Sequence, residues 1–413
     1  MARRRKEIFA HNNRYEGNIF KRFGRWFGKL RGWQKGILIG LTVILIVAIG
    51  VASYVFAKLG LLDRVRLNEK ELSCVDVDGY INILLLGVDS RDMKNIQGSG
   101  ADAIMILSIK EETGEVKLIS VYRDTYLKMG ENDSYNKITD ANRIGGPKMT
   151  IQALNQAMDM NISKFVVVNF KAVADLVDQV GGITVDVQDF EIPQLNKYTI
   201  QTAENIGKKD YKLVEKAGEQ TLEGVQAVSY GRIRKGVGDD FKRTERMRTV
   251  LTKVFDKVKK MSFGELNDLL DLLLPQAQTN LGNSDMLGLA ARLTNFKIEE
   301  SIGWPYDITG GMIDGVSYVF PDNLADNTTK LHQEVFGQKD YKPSETVTTI
   351  SNEIISIVDG SVSNSKPIDP TQDVTDGNTG NTDQNTGPNG SGGDSGSSGN
   401  SGGSSGGSGN SGG

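Results

Sequence analysis

The stretch YINILLLG, residues 80–87, decides how the fold is interpreted, because its apolar side chains follow one another with one strongly polar interruption. Such a run is typical of a strand buried on both faces in the middle of an α/β sheet. It ends in Val88-Asp89-Ser90-Arg91, and open α/β sheets bind ligands just past the ends of their central strands. Neither a GxGxxG fingerprint nor a P-loop lysine follows, so no nucleotide is indicated.

Two further apolar segments carry charged residues at the same kind of position. Asp102 stands at the head of one segment, and Arg123-Asp124 follows the end of the next. Two aspartates and an arginine at strand ends of one sheet could share a divalent cation and an anion that the cation bridges, and carboxylate oxygens suit Mg²⁺. For each aspartate alone, helix capping or turn formation is the alternative, and it stays open at this point.

The following residues alternate between strand and helix patterns, which predicts an α/β fold with a mixed or largely parallel sheet. Strands are expected at 165–170 and 183–187, and helices at 147–159 and 172–180. Residues 190–220 are polar and predict an insertion or a lid.

A basic cluster, residues 229–248, contains five arginines and two lysines in twenty residues. Arg232 and Arg234 are two apart, so on an extended strand both would leave the same face. The residues after Asp240 have the apolar spacing of a helix, and Arg243 falls within its apolar face.

An arginine that points inward from the first turn of a helix indicates an anion, because the helix N-terminus favours the same ligand. The basic cluster therefore predicts a clamp for phosphate or pyrophosphate. The alternative is a solvated surface on which Asp239, Asp240 and Glu245 pair with the arginines, as charged runs commonly do. Arg246 and Arg248 lie at the flanks of the apolar face, and the helical projection does not separate them.

Three other segments differ in composition from the rest of this 413-residue chain. Residues 1–35 have eleven Lys or Arg against two Glu, and residues 36–57 are uncharged and almost wholly apolar. The C-terminal residues are rich in Gly, Ser and Asn, a composition that cannot bury a core. We therefore expect a basic cytoplasmic segment at 1–35, a transmembrane helix at 36–57, a connector at 58–77, one globular domain at 78–358 and a disordered tail at 359–413.

The charge distribution predicts the orientation of the apolar run, whose 22 residues are enough to cross a bilayer. The basic excess lies on its N-terminal side, so we expect the N-terminus in the cytoplasm and the domain outside the cell membrane. A signal peptide cleaved near Gly50-Val51-Ala52 is the alternative, but the long basic region disfavours it. Residues 1–35 carry +9, so the remainder of a chain with net charge −4 carries −13, which disfavours nucleic acid as a partner.

Cysteine and histidine are too few for several kinds of site. Cys74 is the only cysteine, so no internal disulfide is possible, and the two histidines are His11 and His332. A zinc site of Cys and His ligands is therefore excluded, and so is a Ser-His-Asp triad unless His332 serves it. The sequence around His332 is typical of a helix surface, so chemistry outside the membrane is expected to depend on carboxylates and arginines.

Several separated blocks closely resemble the LytR-CpsA-Psr family in their order and spacing. The resemblance extends over roughly residues 78–262 and is weaker to about 340. The blocks are residues 82–91, 102–108, 120–126, 232–234 and 240–246.

The resemblance implies a three-layer α/β/α fold with a central mixed sheet, preceded by one transmembrane helix. It implies a Gram-positive cell-wall enzyme that transfers a phosphate-linked glycopolymer, such as wall teichoic acid or capsule, from a polyprenyl pyrophosphate carrier to peptidoglycan. Asp89 and Asp102 match the family's ligands for Mg²⁺ or another divalent cation, and Asp124 lies beside the arginine of the family's Arg-Asp-Thr motif. The positions that match its pyrophosphate-binding arginines are Arg91, Arg123, Arg232, Arg234, Arg243 and Arg246.

Three positions depart from the family's usual pattern. Tyr122 stands where a proline is frequent, Gly100 where an arginine is frequent, and Met247 where a glutamine is frequent. Of these, only Gly100 removes a charge from the expected site, so the departures bear on substrate preference more than on activity.

Two other functions compete with the transferase. One is a non-catalytic surface module that binds anionic wall polymer, which would need the arginines but not a metal. The other is a membrane-bound transcriptional attenuator that acts through residues 1–35. A pyrophosphatase acting on the lipid carrier is a variant of the transferase in which water replaces the acceptor hydroxyl.

Overall fold

The computed structural model describes residues 60, 63–90, 98–131, 133–234 and 239–370. The apolar run at 36–57, Arg91 and residues 371–413 of the expected tail lie outside these described residues. Within the described part, no helix has the length and apolar character needed to cross a bilayer.

The described strands fall into one large sheet and three small ones. In chain order they are β1 (Asp63–Arg64), β2 (Tyr80–Val88), β3 (Ala101–Lys110), β4 (Glu115–Val121), β5 (Tyr126–Lys128), β6 (Tyr135–Lys137), β7 (Lys164–Asn169), β8 (Ile183–Val187), β9 (Gly218–Leu222), β10 (Ala277–Thr279), β11 (Lys297–Trp304), β12 (Ile308–Ile313), β13 (Val316–Pro321) and β14 (Ser363–Ile368).

The described helices lie mostly on the two faces of the large sheet. They are α1 (Ile138–Met158), α2 (Phe170–Gln179), α3 (Ile192–Ile206), α4 (Gly224–Tyr230), α5 (Asp239–Val258), α6 (Phe263–Leu273), α7 (Asn283–Arg292), α8 (Leu324–Phe336) and α9 (Glu345–Ser361).

The large sheet has the order β1-β10-β7-β2-β3-β4-β11, with β2 in its middle. Strand β2 runs parallel to β7 and antiparallel to β3, so the sheet is mixed, as expected. Leu84 and Leu86 are buried on one face and Ile83 on the other, which is the pattern that the stretch 80–87 predicts for a central strand.

Helices cover both faces of this sheet and make the three-layer α/β/α architecture. On one face Leu84 and Leu86 share the main core with residues of α1, α8 and α9. On the other face Ile83 and Leu85 pack with Phe255 of α5 and Leu289 of α7. The alternation of side chains along β2 therefore supplies both cores.

The strands β2, β3 and β4 form an antiparallel meander that determines where the site lies. Val88 pairs with Ala101, and Ile104 pairs with Val121, so the end of β2, the start of β3 and the end of β4 share one edge. The register shifts between Gly87 and Val88, which inserts Asp102 as an extra residue in β3. Asp89, Asp102 and Arg123 are thus brought to the same edge, as predicted.

A second core cluster lies beside the sheet and contradicts the prediction for residues 190–220. Helix α3 occupies much of that segment, and its Leu195 is buried with Val177, Val185 and Tyr230. The helix was missed because its apolar face is narrow among polar residues. Strand β8 exists as predicted, but it pairs with β9 in a separate hairpin and not with the large sheet.

The domain is wider than residues 78–358. The predicted connector contains β1 and the buried side chains of Leu72 and Val77. At the other end, α9 continues to Ser361, and β14 pairs with β12 inside the expected tail. The side chains of β14 are mostly exposed, so its place depends on backbone hydrogen bonds that leave no apolar pattern in the sequence.

His332 does not lie on a helix surface, which corrects the prediction. Its ring is 1% exposed and stacks on Tyr341 with ring centroids 3.8 Å apart. Its two nitrogens lie 2.8 Å from the Met158 carbonyl oxygen and 2.9 Å from the Gln338 side-chain oxygen. Both nitrogens have partners, so His332 is a structural residue of the main core.

Candidate active site

The centre of the site is Arg123, which follows β4 and contacts three carboxylates. Its Nη1 donates a hydrogen bond to Asp102 Oδ1 at 2.6 Å, and its Nε donates to Asp240 Oδ2 at 3.2 Å. The Asp124 carboxylate lies 3.6 Å from the same Nε. Asp102 and Arg123, which the sequence placed at neighbouring strand ends, are therefore joined directly.

Helix α5 brings the second arginine of the cluster to the same carboxylates. Arg243 is 3% exposed, so it points inward from the first turn as predicted. Its Nη2 donates to the Asp102 carbonyl oxygen at 3.2 Å and to Asp240 Oδ2 at 3.4 Å. The sheet edge and the start of α5 are thus tied together through Arg123 and Arg243.

Asp240 has a more central place in the site than the sequence predicts. From the sequence, Asp240 is expected only to pair with nearby arginines. It lies near the start of α5 and contacts Arg123, Arg234 and Arg243. Its negative charge also acts on the neighbouring Asp124 carboxyl. Its position in the block 240–246 that carries the resemblance was the one available signal.

The two neighbouring carboxyl groups differ in proton affinity. Burial and the Asp240 carboxylate raise the pKa of Asp124 above its ordinary value. Burial would raise the pKa of Asp240 too, but Arg243 and Arg123 lower it below its ordinary value. The proton affinity of Asp124 is therefore higher than that of Asp240.

Arg123 remains a cation in this setting. Burial opposes its charge, but the carboxylates of Asp240, Asp124 and Asp102 outweigh burial and raise its pKa. Lys137 adds a further positive charge 3.0 Å from Asp124. The site consequently has strong local charge of both signs in a partly buried position.

A cavity of about 200 Å³ opens beside this cluster, lined by charged and apolar groups. Arg232 lies close to two aromatic rings there. Its Cζ atom is 5.2 Å from the centroid of the Phe170 ring and 5.1 Å from the centroid of the Tyr198 ring. Its Nη1 also donates to Thr202 Oγ1 at 2.7 Å. The residues lining the cavity are Asp102, Phe170, Tyr198, Arg232, Arg234, Arg243 and Met247.

Arg232 and Arg234 reach this cavity from a loop, not from the predicted strand. Helix α4 ends at Tyr230, and residues 231–234 form a turn. Arg234 stays half-exposed, with its Nε 3.7 Å from Asp240 Oδ1. The two arginines therefore lie at one cavity because of the loop, and the two-residue spacing is not the cause.

Arg246, predicted to bind pyrophosphate, has a different position. Its Nε donates to Glu191 Oε1 at 2.7 Å, and its Nη1 donates to the Ile233 carbonyl oxygen at 3.2 Å. Both side chains of this ion pair are buried. Arg246 does not line the cavity within the described residues, and it instead holds the loop that carries Arg232 and Arg234.

The expected metal ligands lie close together in the fold. Asp102 is in β3, and Asp89 is exposed directly after Val88, whose register partner is Ala101. Among the described residues, no group of three or more His, Cys, Asp or Glu side chains is arranged to hold a metal by itself. Two carboxylates at one edge match a cation such as Mg²⁺, which keeps waters and takes further oxygens from a phosphate.

The sequence profile of the LytR_cpsA_psr family matches residues 59–334, well over half of the chain. The Bacillus subtilis polyisoprenyl-teichoic acid–peptidoglycan teichoic acid transferase TagT is 29% identical over 299 residues, covering 68% of this chain and 89% of that protein. The TagU transferase of Bacillus licheniformis is 27% identical, covering 66% and 84%.

One solved structure supports the architecture. The protein gbs0355 from Streptococcus agalactiae has 25% sequence identity and a TM-score of 0.54. The similarity covers 66% of this chain and 92% of that protein. The mixed sheet between helical layers is therefore shared with a known structure.

The position of Arg246 predicts a loss of stability on its substitution. Arg246→Met leaves the Glu191 carboxylate buried without its partner, so we expect the free energy of unfolding to fall by about 3–5 kcal/mol. Urea unfolding followed by circular dichroism measures it. The double variant Glu191→Gln, Arg246→Met should recover part of the loss, and an Arg246→Met protein of unchanged stability would contradict the structural role.

The raised pKa of Asp124 predicts a pH-dependent effect on stability. The pKa of Asp124 is higher in the folded protein than its value of about 3.9 in the unfolded chain. The group therefore stabilises the fold at a pH below about 3.9, and this contribution is lost as the pH rises through the pKa of the folded state. Asp124→Asn removes the titration, so the variant should melt above the wild-type protein at pH 7, and the difference should shrink towards pH 4.

Thermal unfolding of lipid-free protein between pH 4 and 8 measures this difference. Asp133→Asn, with a side chain that is 98% exposed, controls for the loss of one carboxylate. A difference that favours the wild type at pH 7 would show that Asp124 is held as a stabilised anion, and a difference that stays constant with pH would show that folding does not shift the pKa of Asp124.

Proposed function

The chain belongs to the LytR-CpsA-Psr family, and on that premise we propose that it transfers a phosphate-linked glycopolymer from a polyprenyl pyrophosphate carrier to peptidoglycan. TagT and TagU, which it resembles over most of their length, are named as transferases of this kind. The observation that carries the proposal is the cavity in which Arg232, Arg234 and Arg243 meet beside the Asp124–Asp240 pair.

The arginines suit a pyrophosphate for electrostatic and geometric reasons. Arg123, Lys137, Arg234 and Arg243 contact only three carboxylates, and Arg232 contributes another cation without a carboxylate contact among the described residues. Guanidinium groups meet phosphate oxygens through two parallel hydrogen bonds. An anion in this cavity would thus find an excess of positive charge and several unused donors.

The aromatic side of the cavity suits the lipid end of the carrier. The rings of Phe170 and Tyr198 already pack on Arg232, and Met247 lies on the α5 side. The apolar side chains of residues 151–187 divide between the main core, which holds Ile151, and the second cluster, which holds Val177 to Val187. We place the prenyl chain on the Phe170 side, towards the second cluster.

The transfer itself requires one bond to form and one to break. A hydroxyl oxygen of the acceptor bonds to the phosphorus that carries the glycopolymer, and the bond from that phosphorus to the bridging oxygen breaks. The prenyl monophosphate leaves, and the hydroxyl proton passes to a carboxylate. The Asp124–Asp240 pair is placed for this task, because Asp240 is ionised and its neighbouring arginines stabilise the negative charge on the phosphates.

We propose that Asp89 and Asp102 hold Mg²⁺ or a similar cation together with the pyrophosphate. The donors fit, since both are carboxylates at one sheet edge and Asp102 keeps part of its surface exposed. The cation would neutralise phosphate charge when it is bound. Arg91, which we expect to add a further contact to phosphate, follows Asp89 in sequence but lies outside the described residues.

The surroundings of the enzyme follow from the sequence of the N-terminal part. We propose that residues 36–57 span the cell membrane once, with 1–35 in the cytoplasm and the domain outside, where the lipid carrier and peptidoglycan are found. The polymer would be a wall teichoic acid, a capsule or a similar glycopolymer of a Gram-positive cell. Nucleic acid is not a partner in this proposal.

Each of the two competing functions would require fewer of the residues in this site than a transferase does. A module that only binds wall polymer needs the arginines, but it has no use for two neighbouring carboxyl groups of different proton affinity. A regulator acting through residues 1–35 would need neither. Both carboxyl groups in contact with Arg123 therefore favour a transferase.

Replacing Arg243 by lysine keeps the positive charge and removes the planar guanidinium group, which can donate two parallel hydrogen bonds. We expect Arg243→Lys to lower the transfer rate by about two to three orders of magnitude. The measurement is transfer of radiolabelled polymer from its polyprenyl pyrophosphate carrier to peptidoglycan by the full-length protein in detergent. Arg143→Lys, a half-exposed arginine paired with Asp140, is the matched control. A folded Arg243→Lys enzyme with full activity would overturn the pyrophosphate role.

Removing the divalent cation tests the role of the two aspartates. We expect EDTA to abolish transfer and Mg²⁺ to restore it in the wild type, because the cation joins Asp89 and Asp102 to the phosphates. The double variant Asp89→Asn, Asp102→Asn should stay inactive with added Mg²⁺. If that variant kept normal transfer, the metal site would have to lie elsewhere, and indifference of polymer binding to the same changes would favour the binding module.

A further inference from the structure

A second cavity, of about 640 Å³, lies along a different flank of α5 from the arginine cluster. Arg243 and Met247 face the smaller cavity, whereas Lys242, Glu245 and Arg248 of the same helix line the larger one. Its volume is in the range of sites that bind small molecules or segments of a polymer. Nothing in the proposed chemistry of the pyrophosphate uses this second cavity.

Arg248 is the unusual group in this cavity. Its Nη1 is buried, and none of the described residues accepts a hydrogen bond from it. A buried donor without a partner destabilises the fold, and more so when the group is charged. Burial also lowers the pKa of Arg248. The Arg248 side chain itself lines the cavity, so its other N–H groups are available to a ligand oxygen there.

Other charged groups in the cavity have carboxylate or ammonium partners. Lys242 lies 3.1 Å from Glu245, and Lys330 lies 4.0 Å from Asp307. Within the described residues, no carboxylate lies within ion-pair distance of Arg248. The ligand is therefore expected to bring an oxygen acceptor to Arg248, while the paired charges offer hydrogen bonds to neutral groups.

Aromatic rings and paired charges together suit a saccharide. The Tyr306 ring lines the cavity, with Lys330 Nζ 4.6 Å from its centroid. Sugar rings present hydroxyl groups to charged side chains and an apolar face to aromatic rings. A carboxylate or an acetamido carbonyl on the same saccharide would supply the oxygen for Arg248.

Residues that adjoin the carboxyl pair in sequence lie at the larger cavity or pack against its lining. Tyr122 lines the larger cavity and precedes Arg123-Asp124 in the chain. Phe241, which follows Asp240, packs edge-on against the Tyr122 ring with centroids 4.6 Å apart. The larger cavity is thus connected to the carboxyl pair through Tyr122 and Phe241, and it lies along a different flank of α5 from the smaller cavity.

The shape of the wall depends on one glycine. A Cβ at Gly303 would lie 2.1 Å from the Tyr122 hydroxyl oxygen, so Tyr122 fits only because position 303 has no side chain. Tyr122 is also one of the positions at which this chain departs from its family's usual residue. The departure therefore reshapes the second cavity and leaves the charge cluster unchanged.

We propose that this cavity is the acceptor subsite, which binds a glycan strand of peptidoglycan through a carboxylate or acetamido oxygen on Arg248. The inference rests on the proposed transferase function and assigns its second substrate. Arg248 is here a specificity-determining residue that contacts the acceptor and not the carrier.

The test varies the acceptor concentration at saturating lipid-linked donor, with full-length protein in detergent and uncross-linked glycan strands as the acceptor. Arg248→Gln should raise KM for the glycan strands about tenfold or more, with kcat, KM for the donor and the amount of copurified prenyl lipid unchanged. Arg248→Lys should recover part of the affinity. Lys253→Gln, an exposed residue of the same helix, is the control and should match the wild type.

The outcomes separate the two proposals. A wild-type protein without any transfer would remove the proposed function itself. A wild type that transfers polymer, together with an Arg248→Gln variant whose KM for glycan strands is unchanged, would overturn only the acceptor subsite. An equal change in KM for donor and acceptor would overturn it too, since Arg248 would then act on the pyrophosphate side.

Discussion

The structure depends on a partly buried network in which Arg123 and Arg243 share the carboxylates of Asp102 and Asp240. Charges away from water are tolerated only when they are paired and hydrogen-bonded, so each member fixes the position of the others. The network joins the edge of the large sheet to the first turn of α5. It also contacts Arg234 through Asp240, and Arg234 lines the smaller cavity.

The same network explains why the site is both rigid and ready for a ligand. Each guanidinium has more donors than its carboxylate partners use, and Arg232 is held by aromatic rings and a hydroxyl instead of an acid. Arg246 satisfies Glu191 and a loop carbonyl at a distance from the cavity. Arginines of one motif are thus divided between holding the loop and lining the smaller cavity.

Much of this arrangement could be predicted because it depends on short-range patterns. The apolar run at 80–87 predicts a central strand, and the tight turn between β3 and β4 brings Asp102 and Arg123 to one edge. The helical spacing after Asp240 predicts that Arg243 points inward. In each of these cases the period of the side chains, two for a strand and 3.6 for a helix, carries the information.

The contacts that the sequence does not predict have a common physical origin. The arrangement of the site also explains how the chain could differ from its relatives. Asp240 meets Arg123 across 117 positions, and Arg246 meets Glu191 across 55, so no local pattern shows these contacts. The unusual Met247 lines the smaller cavity together with arginines of the cluster, and the unusual Tyr122 lines the larger one. Changes at cavity walls alter the fit of a substrate without removing a paired charge, whose loss would leave another charge buried. Substrate preference can therefore change at these walls while the central network stays the same.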